Sequence, residues 1–231
     1  MIGLVQGDRV VVHSSLRAVG LDADELIDEL LVAVGPRGLV VMPTFTYDNE
    51  TFAPDTPSRA GALTEVFRRR PDAVRSAHPT YSVAAIGDGA PELLDGHERL
   101  GATGLGSPLD RLAAAGGHVL LLGVGHTSNT TAHVGEFHAD APYLDIPFDP
   151  AWPTHNDDRF PGCSRAFGAL ERPLRERGAI RDGKVGGALA QLVPGCAVIE
   201  ATVALLRADR TALLCSDPAC YRCSRARARL S

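Results

Sequence analysis

Hydrophobic and polar positions alternate in blocks along this chain. Residues 9–13 (RVVVH) form a short apolar run without helical spacing, which predicts a buried strand. From 24 to 34, Leu26, Ile27, Leu30, Leu31 and Val34 recur at three- and four-residue spacing, and Gly35-Pro36 follows; this predicts an amphipathic helix with a defined stop. A second apolar run, 38–42 (GLVVM), predicts another strand. Further along, 63–70 reads as a helix, 81–86 as a strand, and 108–115 as a short helix stopped by Gly116-Gly117. Residues 118–124 (HVLLLGV) form the most hydrophobic strand of the chain. The stretch 143–162, rich in Pro, Asp and aromatics, predicts a long irregular loop, and such loops are often functional. Beyond it come a helix (165–177), strand-like segments (179–181 and 185–193), a helix (197–206) and a cysteine-bearing tail.

Strands alternating with helices predict an α/β fold: a central, mostly parallel or mixed sheet flanked by helices, with a small C-terminal lobe. One domain over 1–231 is expected, with 207–231 as a tail capable of binding zinc. In such sheets, sites form where strands end. Two polar clusters stand at such places: His13-Ser14-Ser15 after the first strand, and His126-Thr127-Ser128-Asn129 after the most hydrophobic one.

Composition narrows the class. At 231 residues, 45% hydrophobic and 22% charged, the chain can bury a sizeable core and does not read as disordered. A net charge of -5 disfavours a nucleic-acid partner and suits a cationic substrate. The sequence has no apolar run long enough to cross a membrane, and Met1-Ile2-Gly3-Leu4 lacks the basic start of a signal peptide. A cytoplasmic location is therefore expected.

The richest segment is 129–140. As a helix it places His133, Glu136 and Asp140 on one face, with Asn129 and Thr130 continuing that face and His138 pointing away. A histidine beside carboxylates is fixed in one tautomer and suits a general base near neutral pH. The bland alternative is a solvated helix face. A metal reading of His133, Glu136 and His138 is weaker, because zinc helices need two histidines four apart and these are five apart. Ser14 and Ser15 after the first strand, and Ser107 before Pro108, stand in turns of the kind that hold phosphate or merely cap helices.

Five cysteines, an odd number, do not suit a disulfide framework. Cys215, Cys220 and Cys223 crowd the tail and offer three soft ligands, whereas tetrahedral zinc wants four. Cys163 is the favoured fourth, with Cys196 or a histidine as alternatives. Structural zinc is preferred over a reduced, metal-free tail, and the tail arginines read as solvated.

Together these motifs resemble the aminoglycoside 3-N-acetyltransferase family, from about Gly7 to about Leu206. The pieces stand in family order: Val12-His13-Ser14-Ser15-Leu16-Arg17, 38–46, Arg75-Ser76-Ala77-His78-Pro79, 82–87, 106–112, 119–125, 129–136 and Gly183-Lys184-Val185-Gly186. The resemblance implies acetyl transfer from acetyl-CoA to an amine, with a small-molecule amine and an acyl-CoA as partners and neither nucleic acid nor membrane. It implies that His133 works with Glu136 to deprotonate the acceptor, which then attacks the thioester directly. It implies that His13, Ser14, Ser15 and Ser107 lie near the CoA. Asn129, Thr130, Asp140 and His78 are candidates for the acceptor side. The segment after Gly20 and the loop 47–59 depart from the family pattern where the acceptor pocket is shaped, so the acceptor is an aminoglycoside or another small amine. The cysteine tail lies outside the pattern. A zinc-dependent hydrolase and a non-catalytic CoA-binding member are the alternatives, and monomer and homodimer both stay open.

Overall fold

The computed structural model describes residues 2–46, 52–146 and 161–231. The strands are β1 (Arg9–Ser14), β2 (Leu39–Pro43), β3 (Val74–Arg75), β4 (Val83–Gly87), β5 (His118–Leu122), β6 (Arg181–Val185) and β7 (Ala188–Pro194). The α-helices are α1 (Leu16–Val19), α2 (Ala23–Val34), α3 (Ala62–Phe67), α4 (Ala90–Leu94), α5 (Pro108–Ala114), α6 (Thr131–His138), α7 (Glu171–Glu176), α8 (Gly195–Ala208) and α9 (Tyr221–Leu230). Among the described residues, no helix is long and apolar enough to cross a membrane.

The strands form one mixed sheet in the order β3-β4-β2-β1-β5-β7-β6. Strand β1 runs parallel to both β2 and β5, and the outer pairs are antiparallel. The three parallel strands are buried along nearly their whole length, which is why they read as unbroken apolar runs. Their side chains still alternate between two cores. Val10, Val12, Val40, Met42, Leu120 and Leu122 pack on one side, with Leu26, Ile27 and Leu30 of α2 and Phe67 of α3. Val11, Leu39, Val41, Val119 and Leu121 pack on the other, with residues of α4, α5, α6 and α8 and with Leu213 and Leu214 of the tail. The result is a sheet between two helical layers, as expected.

Local chemistry sets the boundaries. Helix α2 starts at Asp22, whose carboxylate accepts from the Asp24 and Glu25 N–H groups, and stops at Gly35. The region 165–177 is not one helix. A 3-10 segment (Ser164–Leu170) precedes α7, and Pro173 stands in the first turn of α7, where its missing N–H costs little. The strand-like stretches near 179–193 are the antiparallel pair β6 and β7. The irregular loop read at 143–162 falls outside the described residues over 147–160.

Helix α6 lies close on α8 because Gly135 faces Thr202; a Cβ on Gly135 would sit 2.4 Å from the Thr202 Cβ. This close approach fixes the helix that carries His133 and Glu136.

Two interior histidines are built in neutral. His97 accepts at Nδ1 from the Ser76 hydroxyl (2.8 Å) and donates from Nε2 to the Ala102 carbonyl (3.1 Å). Ser76 Oγ in turn accepts from the Val83 N–H of β4. Burial, chiefly, lowers His97 to about 4. His13 is lowered to about 3, by burial first and then by the nearby His133 and His126. The unfolded chain binds protons at these sites near pH 6.5 and the folded chain does not. Stability is therefore full above that pH and is lost as pH falls from about 6.5 towards 4 for His97 and towards 3 for His13. At pH 5 each histidine should cost about 2 kcal/mol relative to pH 7.5. Denaturant midpoints at the two pH values check this; equal midpoints would contradict it.

Candidate active site

A cavity of about 670 Å³ opens at the C-terminal ends of the three parallel strands. Strand β1 brings Val12, His13 and Ser14 to it, and Pro43 at the end of β2 and Phe45 just beyond also reach it. The segment between β5 and α6 contributes Thr127, Ser128, Asn129 and Thr130, and α6 contributes His133. Tyr81, Arg59, Pro161, Gly162 and Ser164 complete much of the wall. The position agrees with the rule that open α/β sheets place ligands beyond the carboxyl ends of parallel strands.

His133 and Glu136 are three apart on α6 and therefore meet: Nδ1 lies 2.7 Å from Glu136 Oε2. Glu136 is fully buried, while the His133 side chain is 12% exposed. The Tyr143 hydroxyl donates to Oε1 (2.9 Å) and the Gly162 N–H donates to Oε2 (2.9 Å). An ionised carboxylate offers only acceptors, so the proton in the His133–Glu136 contact sits on Nδ1. That leaves the Nε2 lone pair of His133 able to act as a base. The buried Phe167 ring packs against the imidazole at 4.7 Å between centroids and restricts its rotation. Burial, and next the Glu136 charge, hold the Tyr143 phenol far above its ordinary value, so it remains a donor.

The other candidates scatter around this pair. Thr130 lines the cavity, and its N–H points to His13 Nε2 at 3.4 Å. Asn129 also lines it, with its side chain engaged by His126 (3.1 Å) and by the Thr131 N–H (3.1 Å). Ser14 is in the wall, whereas the Ser15 hydroxyl accepts from the Ala18 N–H and caps α1. Ser107 is fully buried at the start of α5, and its hydroxyl has no partner among the described residues. His78 accepts at Nδ1 from the Thr80 and Tyr81 N–H groups and so shapes the turn that presents Tyr81. Asp140 does not continue the His133 face. Helix α6 ends at His138, and Asp140 takes a left-handed turn at φ 48°. His138, about 140° further round the helix than His133, pairs with Asp110 at 2.8 Å. This separation removes the basis for a zinc site at His133, Glu136 and His138.

A second cluster lies behind the cavity wall. The ligand atoms of Cys163, Cys215, Cys220 and Cys223 lie within 4.8 Å of one another, and all four residues are buried. Cys196 is exposed and apart. A hydrogen bond from Cys223 is the main reason that the Cys163 thiol is lowered to about 5, and the Cys223 thiol is raised in return. The tail arginines are not uniformly solvated. Arg222 is 1% exposed, and Arg227 donates to the Leu214 and Cys215 carbonyls.

The segment 11–207 matches the family model for aminoglycoside 3-N-acetyltransferases. The chain belongs to the aminoglycoside 3-N-acetyltransferase family. Aminoglycoside N(3)-acetyltransferase IV of Salmonella sp is 32% identical over 90% of this chain and 84% of its own length. Aminoglycoside N(3)-acetyltransferase VII of Streptomyces paromomycinus is 31% identical over 88% and 86%. A solved aminoglycoside acetyltransferase in complex with a gentamicin superposes with a TM-score of 0.85 at 32% identity, covering 98% of this chain and 92% of that one. A family structure binary with CoASH gives 0.77 at 27% identity, covering 90% and 92%. The protein is thus a CoA-dependent N-acetyltransferase of this family.

Sequence reasoning missed Tyr143 and Gly162. Both lie at the margins of the 143–162 stretch, and each follows a proline, which was their only local signal. Gly162 has a steric reason to be glycine: a Cβ there would lie 2.2 Å from Glu136 Oε1. Gly162→Ala should therefore displace Glu136 and lower kcat at least tenfold while unfolding stays cooperative. Steady-state kinetics with thermal unfolding check this; an unchanged kcat would show that Glu136 is free to shift without consequence.

Proposed function

We propose that this protein transfers the acetyl group of acetyl-CoA to an amine of an aminoglycoside, with His133 as general base. The observation that carries the reading is the 2.7 Å contact from His133 Nδ1 to the buried Glu136, which leaves Nε2 as a lone pair on a cavity residue. An ammonium group cannot attack a carbonyl, so the acceptor must first lose a proton. His133 Nε2 takes it, and Glu136 stabilises the imidazolium that results. The amine nitrogen then bonds to the thioester carbonyl carbon and the C–S bond breaks. His133 passes that proton to the departing thiolate and, neutral again, takes the second proton from the acylated nitrogen and releases it to water. Holding both substrates in one cavity supplies much of the remaining acceleration.

Ser14, at the end of β1, is the residue proposed to meet the CoA. Ser15 serves this indirectly by capping α1. Asn129 and Thr130 are proposed for the acceptor side, with His78 acting only through the Tyr81 turn. The gentamicin complex of the similar structure supports the acceptor class.

The expected outcome is that His133→Ala lowers kcat by about 100-fold or more with the fold intact. Release of CoA thiol from acetyl-CoA, measured with gentamicin and with simple diamines, tests this. Near-normal turnover in the variant would remove His133 as the base, and turnover with the diamines alone would remove the aminoglycoside as acceptor.

The cysteine cluster is proposed to hold a structural zinc ion. Zn–S bonds of about 2.3 Å place tetrahedral sulphurs about 3.8 Å apart, and the Cys163 and Cys215 sulphurs are 3.8 Å apart. The four buried sulphurs, with one thiol already acidic, fit the ion. Bound zinc would cross-link the tail to the residue after Gly162. Cys220→Ser should lower both bound zinc, by elemental analysis, and the melting temperature; unchanged zinc content would refute the site.

A further inference from the structure

The buried Glu136 carboxylate accepts from His133, from the Tyr143 hydroxyl and from the Gly162 N–H. The last two donors come from outside α6, and both are gripped by the C-terminal segment. Helix α9 holds the short stretch around Tyr143 through two arginines. Arg222 Nη2 donates to the Tyr143 carbonyl (3.1 Å), and Arg229 Nη1 donates to the Pro142 carbonyl (3.2 Å). Arg229 also pairs with Asp145 (2.5 Å). Gly162 is chain neighbour to Cys163, whose sulphur clusters with those of Cys215, Cys220 and Cys223. Cys220 and Cys223 flank Arg222 at the start of α9. One segment, 215–230, thus anchors both outside donors to one carboxylate.

From this geometry we infer that Tyr143 and the Gly162 N–H are positioning groups for Glu136, and that the cysteine-anchored C-terminal segment acts on catalysis by holding them. The inference rests on the His133–Glu136 reading above. A buried carboxylate that loses a donor must find another or move. Here movement means that Oε2 leaves His133 Nδ1, and the imidazole loses both its tautomer and its counter-charge. The contact joins two protein side chains, with Glu136 fully buried, so the effect is expected on turnover. The buried Arg222 serves the same end. Its positive charge is in range of Glu136, which offsets part of the burial penalty on the guanidinium.

Steady-state kinetics of Tyr143→Phe, Arg229→Ala and the double variant provide the test, with far-UV circular dichroism and melting temperature recorded for each. The Arg229 side chain is nearly half exposed, so its removal spares the core. Tyr143→Phe should lower kcat about tenfold, with KM for acetyl-CoA and for the amine each within about twofold. Arg229→Ala should lower kcat about threefold in the native background and have no further effect when combined with Tyr143→Phe, because it acts through the lost hydroxyl. A wild-type kcat in Tyr143→Phe would overturn the inference, as would losses confined to KM or melting temperature, or strict additivity of the two changes. His133→Ala separates the layers. If it is inactive while Tyr143→Phe is fully active, the positioning role alone falls; if it is active, the base reading falls with it.

Discussion

The structure around the site depends on one buried carboxylate. Glu136 has no exposed surface, so its charge is tolerable only while several donors face it. Those donors come from three places in the chain: one turn upstream on α6, Tyr143 beyond the end of that helix, and Gly162. No one of these segments could satisfy Glu136 by local folding. The carboxylate is therefore both a reporter of correct assembly and the group that gives His133 its direction.

The sheet supplies the frame. Strands β1, β2 and β5 run parallel, and the ends of β1 and β2 line one cavity together with the segment that follows β5. Packing of Gly135 against Thr202 fixes α6 against α8, which sets how far His133 stands from the strand ends. Neutral His13 beneath Thr130 adds no positive charge beside the proposed base. The placement of His133, its tautomer and its access thus follow from packing on the two faces of one sheet.

Much of this is legible in the sequence because it is periodic or local. The apolar runs at 9–13, 38–42 and 118–124 are strands because they are buried on both faces, and the 24–34 pattern is α2 because one of its faces is buried. The His133–Glu136 spacing brings the two together in any helix. What was not legible depends on distant contacts. Asp140 shares the helical period of His133, yet the helix ends before it, and its backbone turns left-handed. Arg222 looks like a tail arginine and is instead buried, donating to the Tyr143 carbonyl. Tyr143 and Gly162 carry no motif; only the closed fold brings them to Glu136. The cysteine cluster is an exception: the spacing at 215–223 suggests a ligand set with Cys163 as its fourth member, and the fold does bring Cys163 to Cys215 across 52 residues.

A crystal structure of the protein with CoA and a bound aminoglycoside tests the central claim most directly. The account predicts one acceptor nitrogen within about 2.6–3.2 Å of His133 Nε2, with the CoA sulphur beside that same nitrogen and Glu136 still on Nδ1. An acceptor whose amines all lie beyond hydrogen-bond reach of His133, held towards the sulphur by another side chain, would contradict it.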